Sequence, residues 1–185
     1  GYLNRLLTVD LSTGCWEVMP LSPEYVRGYL GGRGLGARYL LDLLPAGADP
    51  LAPDNVAILM CGPFTATDVY SCHKYEWVTK SPLTGTYLCS NCGGRLGVSL
   101  RRAGFDGLVI TGAARRPVYL HIGEQGLAVC DASGLWGRSV SQTQESLRAT
   151  LGAGVAVGCI GPAGEPPGQV RFAGFFDGQR SAGRG

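Results

Sequence analysis

Apolar and polar positions alternate weakly from Leu3 to Val9, stop at the turn sequence DLSTG, and resume from Cys15 to Met19. That pattern predicts a β-hairpin. From Ser22 the period lengthens. Pro23 suits a first helical position and Glu24 complements the exposed N–H groups there. Val26, Leu30, Leu35, Tyr39 and Leu43 then keep an approximately helical spacing across several glycines. One interrupted helix or two is expected to Leu44, ended by Pro45. The loop PAGADPLAPDN follows, and Val56 to Cys61 is a continuous apolar run. It reads as a buried strand stopped by Gly62 and Pro63.

A similar order recurs downstream. Leu108 to Thr111, Pro117 to Ile122 and Leu127 to Cys130 read as strands. Ser139 to Leu151 reads as an amphipathic helix with Val140, Leu147 and Leu151 on its apolar side, and Val155 to Ile160 as a buried strand stopped by Gly161 and Pro162. AILMCGP and VAVGCIGP thus close two stretches of hairpin, helix and apolar strand, about one hundred residues apart. The expected fold is α+β, an internal duplication of two β-rich halves at about residues 1–104 and 105–185.

Composition narrows the function classes. Sixteen basic against fourteen acidic residues leave a formal net charge of +2, with no block of consecutive positives longer than two. This is no electrostatic footprint for nucleic acid or an anionic bilayer. No apolar run reaches the roughly 18 residues needed to span a membrane, and no signal-peptide pattern opens the sequence, so a soluble, cytoplasmic protein is expected. The seven cysteines are odd in number and mostly sit in apolar segments, which suits reduced thiols acting as small core residues. Thirty glycines in 185 residues far exceed the usual share of about 7%. They punctuate apolar runs, which points to tight turns or to backbone wrapped closely around a ligand.

Two segments carry candidate chemistry. Thr79 to Gly94, TKSPLTGTYLCSNCGG, leads from a hydroxyl-rich turn through a short apolar strand to an asparagine beside paired glycines. Ser81, Thr84, Ser90 and Asn91 offer short polar side chains, while Gly85, Gly93 and Gly94 admit close backbone approach. Asp177 to Gly185, DGQRSAGRG, sets Arg180 and Arg184 among glycines, a combination suited to anionic oxygens.

Other motifs are weaker. Cys89 and Cys92 form a CxxC, but His73 and His121 supply no second ligand pair at a recognisable zinc spacing. GRGLGA at Gly32 to Ala37 matches a dinucleotide fingerprint but follows a helical pattern where a strand is required, so close helix packing is expected there, with Arg33 directed to solvent or an anion. Asp68, Asp106 and Asp177 flank glycine-rich segments and read as turn formers that bond their own backbone.

Taken in order, GGRGLGARYLL, NVAILMCGPFTAT, VTKSPLTG, SNCGG, RRAGFDGLVITGAARRPVYLHI, DASGLWG, IGPAGE and DGQRSAGRG make nearly the whole chain similar to the N-terminal domain of aldehyde ferredoxin oxidoreductases. That family oxidises aldehydes to carboxylic acids at a tungsten, occasionally molybdenum, bis-pterin centre and passes electrons through a [4Fe-4S] cluster to ferredoxin. The resemblance implies a duplicated α+β domain forming a base for the cofactor. It assigns pterin contacts to Lys74, Asn91 and Gly93, and to Arg180, Ser181, Gly183 and Arg184. It also assigns the backbone carbonyls of Asn91 and Ser181 to a magnesium ion between the two pterin phosphates. Oxygen ligands suit magnesium, and a guanidinium fork suits a phosphate or a pterin edge.

Two positions depart from the family pattern. Lys74 stands where arginine is usual, keeping the charge but losing the planar fork. Ser181 replaces an alanine. The cluster cysteines and the acid–base residues of the substrate pocket belong to later domains of the family, so partners in those domains or subunits are implied, a homo-oligomer is compatible, and the chain alone is expected to be inactive. The alternative is a non-catalytic module of the same fold that binds a pterin, another anion or a protein.

Overall fold

The computed structural model describes residues 1–165 and 174–183. Six strands, β1 Leu6–Asp10, β2 Trp16–Met19, β3 Ala57–Cys61, β4 Tyr75–Lys80, β5 Tyr87–Cys92 and β6 Gly107–Thr111, form one sheet in the order β2-β1-β6-β3-β4-β5. All neighbours are antiparallel except β1 and β6, which are parallel. The hairpin expected at the start is present as β1–β2. Asp10 shapes its turn by accepting the Ser12 N–H at 2.8 Å, and Gly14 turns the chain back at φ +74°.

Strand periodicity sends successive residues to opposite faces, so this sheet has two cores. Leu6, Ile58, Met60, Val78 and Val109 are buried on one face with Leu35, Tyr39 and Leu40. Leu7, Leu59, Tyr75 and Leu108 are buried on the other with Leu100 and Phe105. The first core is covered by α1 Pro23–Tyr29 and α2 Gly32–Leu43, so the helical region is two helices. Ser22 caps α1 by accepting the Tyr25 N–H at 3.3 Å, and Leu30 ends it at φ 60°. The glycines of GRGLGA serve packing, as expected: a Cβ on Gly36 would lie 2.9 Å from Val78 Cγ2, and α2 follows α1, not a strand.

A third helix, α3 Leu96–Arg102, and strand β4 were not read from sequence. After β6 come a hairpin of β7 Val118–Gly123 and β8 Gly126–Asp131, helix α4 Val140–Leu151, and an antiparallel sheet of β9 Gly158–Cys159, β10 Phe175–Asp177 and β11 Arg180–Ala182. Helix α4 opens with a capping box in which Ser139 and Gln142 satisfy each other's backbone N–H groups. Hairpin, helix and a run of three antiparallel strands therefore occur twice. The expected division near residues 104 and 105 does not coincide with a division between sheets, because β6, downstream of it, sits between β1 and β3.

Asp106 corrects the turn-former reading of its type. It is 3% exposed, pairs with Arg101, and accepts the N–H groups of Leu3 at 3.0 Å and Arg5 at 3.1 Å. Among the described residues no helix is long and apolar enough to cross a membrane.

Candidate functional site

The segment Thr79 to Gly94 is the end of β4, a turn, and all of β5. Its two ends have different jobs. At the turn, the Ser81 hydroxyl is buried and accepts the N–H groups of Leu83 and Thr84 at 3.2 and 3.3 Å, while Thr84 and Thr86 bond each other at 2.9 Å. Those hydroxyls close the hairpin, which corrects their reading as ligand contacts. Asn91 and Gly93 lie at the opposite end of β5, about 20 Å away at the usual rise per strand residue.

That far end meets the second sheet. Strand β5 contacts β11, and the two strands close their sheets in the same way. Tyr75 faces Cys92 across β4–β5, and Phe175 faces Ala182 across β10–β11. One position earlier in each closing strand, Asn91 and Ser181 are exposed; one position later come Gly93 and Gly183. Cys92 and Ala182 are 1% and 5% exposed, so in each strand a small buried residue anchors a polar residue and a glycine on either side. Trp77 and Phe175 seal the joint edge to face, with ring centroids 5.0 Å apart.

The predicted cofactor residues converge here. A Cβ on Gly93 would come 4.0 Å from Arg180 Cγ, placing the exposed Arg180 side chain beside the first glycine pair. Lys74, also exposed, precedes Tyr75 and so falls opposite Gly93 when the β4–β5 register is continued by one residue. Neither Lys74 nor Arg180 forms an ion pair among the described residues. Arg184 lies outside the described residues.

Three residues of this junction were missed or misread. Asp177, 4% exposed, accepts the Leu96 N–H at 2.7 Å and the Tyr75 hydroxyl at 3.4 Å, tying β10 to the start of α3. It is an anchor between distant segments, again correcting the turn-former reading. Gly94, at φ +139°, leaves no room for a Cβ against that carboxylate. Glu76 faces Asn91 across the ladder, accepts the Asn91 side-chain N–H at 2.9 Å and the Cys89 thiol at 2.9 Å, and has Arg33 beside it. The Asp-Gly of DGQRSAGRG was the available signal for Asp177, but its partners lie 81 and 102 positions away.

The same geometry disposes of the CxxC. Residues three apart in a strand point to opposite faces, so Cys89 lies against Glu76 while Cys92 is buried beside Tyr75. Both thiols are pushed up in pKa chiefly by burial, and all seven cysteines are free. Among the described residues no group of three or more His, Cys, Asp and Glu could hold a metal ion. The residues present fit an anionic bound group: Lys74 and Arg180, which form no ion pair among the described residues, and two glycines beside exposed polar residues.

Comparison with known proteins gives the family. Residues 6–185 match the N-terminal domain family of aldehyde ferredoxin oxidoreductase, and the chain belongs to that family. It is 41% identical over 187 aligned residues to a tungsten-containing aldehyde ferredoxin oxidoreductase of Pyrococcus furiosus, and 40% identical over 186 to one of Thermococcus kodakarensis. Those alignments cover 100% of the chain but 31% and 30% of the relatives, so the chain spans about a third of their length. A third relative, the WOR-like subunit of an aliphatic sulfonate oxidoreductase from Pyrococcus furiosus, is 35% identical across 74% of the chain and 22% of its own length. In structure the chain resembles the active site complex BamBC of benzoyl coenzyme A reductase, with a TM-score of 0.94, 32% identity, and coverage of 100% of the chain and 28% of that chain.

Proposed function

We infer that the junction of β5 and β11 is half of the seat for a tungsten pterin cofactor in an enzyme that oxidises aldehydes to carboxylic acids. The observation that carries this reading is the matched pair of strand ends, Asn91–Gly93 and Ser181–Gly183, with Arg180 lying against Gly93. A cofactor with two similar pterin halves calls for two similar docking edges. Lys74 and Arg180 would neutralise phosphate oxygens, Gly93 and Gly183 would let the pterins approach the backbone, and Arg184 would join them from outside the described residues. The backbone carbonyls of Asn91 and Ser181 would hold a magnesium ion between the phosphates.

When bound, the tungsten pterin supplies the two-electron chemistry at the aldehyde carbon. The chain's own residues bind and orient. Glu76 fixes the Asn91 side chain, and Asp177 fixes α3 against β10, so both docking edges rest on rigid elements. The iron–sulfur cluster, the transfer of electrons to ferredoxin and the walls of the substrate pocket fall to the rest of the enzyme. Aldehyde is preferred over sulfonate or an aromatic thioester because relatives named for aldehyde oxidation match the whole chain at 39–41% identity, above the others.

The test is elemental and pterin analysis of the full-length protein from tungsten-replete cells, with an aldehyde-dependent viologen assay. Stoichiometric tungsten and pterin with dye reduction by aldehyde is expected. Protein free of both, or dye reduction by this chain loaded with cofactor but lacking its partner domains, would contradict the reading.

A further inference from the structure

Strands β3 and β4 pair as far as Cys61 and Tyr75, and residues 62–74 loop out between them. Gly62 and Lys74 would be the next rung of that ladder. They meet instead through a side chain. The Thr65 hydroxyl accepts the Gly62 N–H at 3.1 Å and shares its own proton between the carbonyls of Cys72 and Lys74, each at 3.3 Å. Thr65 is 1% exposed, so these backbone groups depend on its hydroxyl rather than on water. Farther out the loop closes on itself, with the Thr67 hydroxyl and the Cys72 thiol both donating to the Phe64 carbonyl, at 2.7 and 2.8 Å. Among the described residues, Thr65 is the one side chain that bonds to Lys74. Ala66 and Ser71 sit at φ 64° and 60°, a left-handed conformation that non-glycine residues keep only where surrounding contacts hold it. The loop is therefore set in one shape by its own bonds.

We propose that Thr65 is a positioning residue of the cofactor seat, its hydroxyl holding the Lys74 backbone so that the Lys74 ammonium reaches the anionic group bound at the β5–β11 junction. This role rests on the reading of that junction as the seat. Lys74 lies one residue outside β4, where a strand end frays unless it is tied down. Its side chain is flexible and lacks the planar fork of arginine, so a phosphate cannot orient it through two parallel bonds. Order must come from the backbone. A mobile backbone added to a mobile stem would spread the ammonium over many positions, and binding would have to overcome the entropy of ordering both. Thr65 removes the backbone share of that cost. Being buried, it touches no bound group itself and acts through Lys74. The position calls for a hydroxyl rather than for bulk, since a valine of similar shape would leave the Gly62 N–H and the Lys74 carbonyl without their partner.

Tungsten and pterin content, together with hydrogen exchange of the full-length protein, test this role. Thr65→Val should retain several-fold less of both per protein, and its residues 62–75 should exchange about tenfold faster while β1 and β6 keep their protection. Thr65→Ser, which keeps the hydroxyl, should match the parent in both readouts. In the Lys74→Ala background, Thr65→Val should cause no further loss of cofactor, because its effect passes through Lys74. Equal losses in Thr65→Val and Thr65→Ser would trace the effect to packing and overturn the proposal. Unchanged exchange, faster exchange with parent-level cofactor, or an added loss in the double variant would overturn it too. A parent free of tungsten and pterin contradicts the seat and this role with it. A parent that holds both, with Lys74→Ala depleted and Thr65→Val not, contradicts the role of Thr65 alone.

Discussion

The carboxylate of Asp177 accepts the backbone N–H of Leu96 at 2.7 Å, joining the last three-stranded sheet to the start of α3 from 81 positions away in sequence. Because α3 begins just after Gly93 and Gly94, this bond ties the glycine end of β5 to the strand that leads to Arg180. Removing the carboxylate leaves buried donors on Leu96 and Tyr75 unpaired, a loss of about 1–3 kcal/mol. Asp177→Ala should lower the urea midpoint accordingly, and Asp177→Asn, which retains one acceptor oxygen, should lower it less. Equal stability of Asp177→Ala and the parent would show that the anchor is dispensable.

Gly36 and Val78 form a second coupled pair, since any Cβ on Gly36 would press on Val78 Cγ2. Overpacking of this kind costs about 1–3 kcal/mol, partly offset by the better helix propensity of alanine. Gly36→Ala should destabilise the protein, and Val78→Ala should relieve part of that cost. A double-mutant cycle by denaturant unfolding should give a coupling of about 1 kcal/mol. Additive effects would contradict the contact.

Cys61, 4% exposed, is held neutral by burial, which pushes its thiol up to about 12 from 9.0. Its folded pKa exceeds the unfolded value, so above pH 9 the unfolded chain releases the proton while the native chain retains it. Stability from this group should be intact below pH 9 and fall by on the order of 1 kcal/mol per pH unit as the pH rises from there toward 12. Cys61→Ala should show a shallower decline over that range in chemical unfolding.

The CxxC should be chemically quiet. With Cys89 and Cys92 on opposite faces of β5 and both thiols raised in pKa, native protein at pH 8 should alkylate first at the exposed Cys15. Peptide mapping after mild oxidation should find no Cys89–Cys92 disulfide.

Much of the fold was legible because its signals are local. The β1–β2 turn, the Ser139 cap and the Gly-Pro stop after β3 are each written within a few residues, whereas Val155 to Ile160, expected as a buried strand, forms only the two half-buried residues of β9. What escaped depends on distant partners. Helix α3 is only seven residues long and has no side-chain cap, and its Leu96, Val98 and Leu100 alternate like a strand. Its N-terminus is held by Asp177 instead. Strand β4 sits against a turn-rich segment, and its partner β5 decides its fate. At the candidate site, the residue types of Asn91, Gly93 and Arg180 by themselves suggest anion or backbone contact. Glu76 and Asp177 were illegible because only the assembled register brings them to that site.

The most direct test of the cofactor seat is the tungsten and pterin content of the full-length enzyme carrying Arg180→Ala. Arg180 is exposed, so the variant should fold and melt within a few degrees of the parent. If the β5–β11 junction holds the cofactor, the purified variant should retain several-fold less tungsten and pterin per protein, and Arg180→Lys should restore part of both. Parent-level tungsten and pterin in folded Arg180→Ala would contradict the assignment of this junction as the cofactor seat.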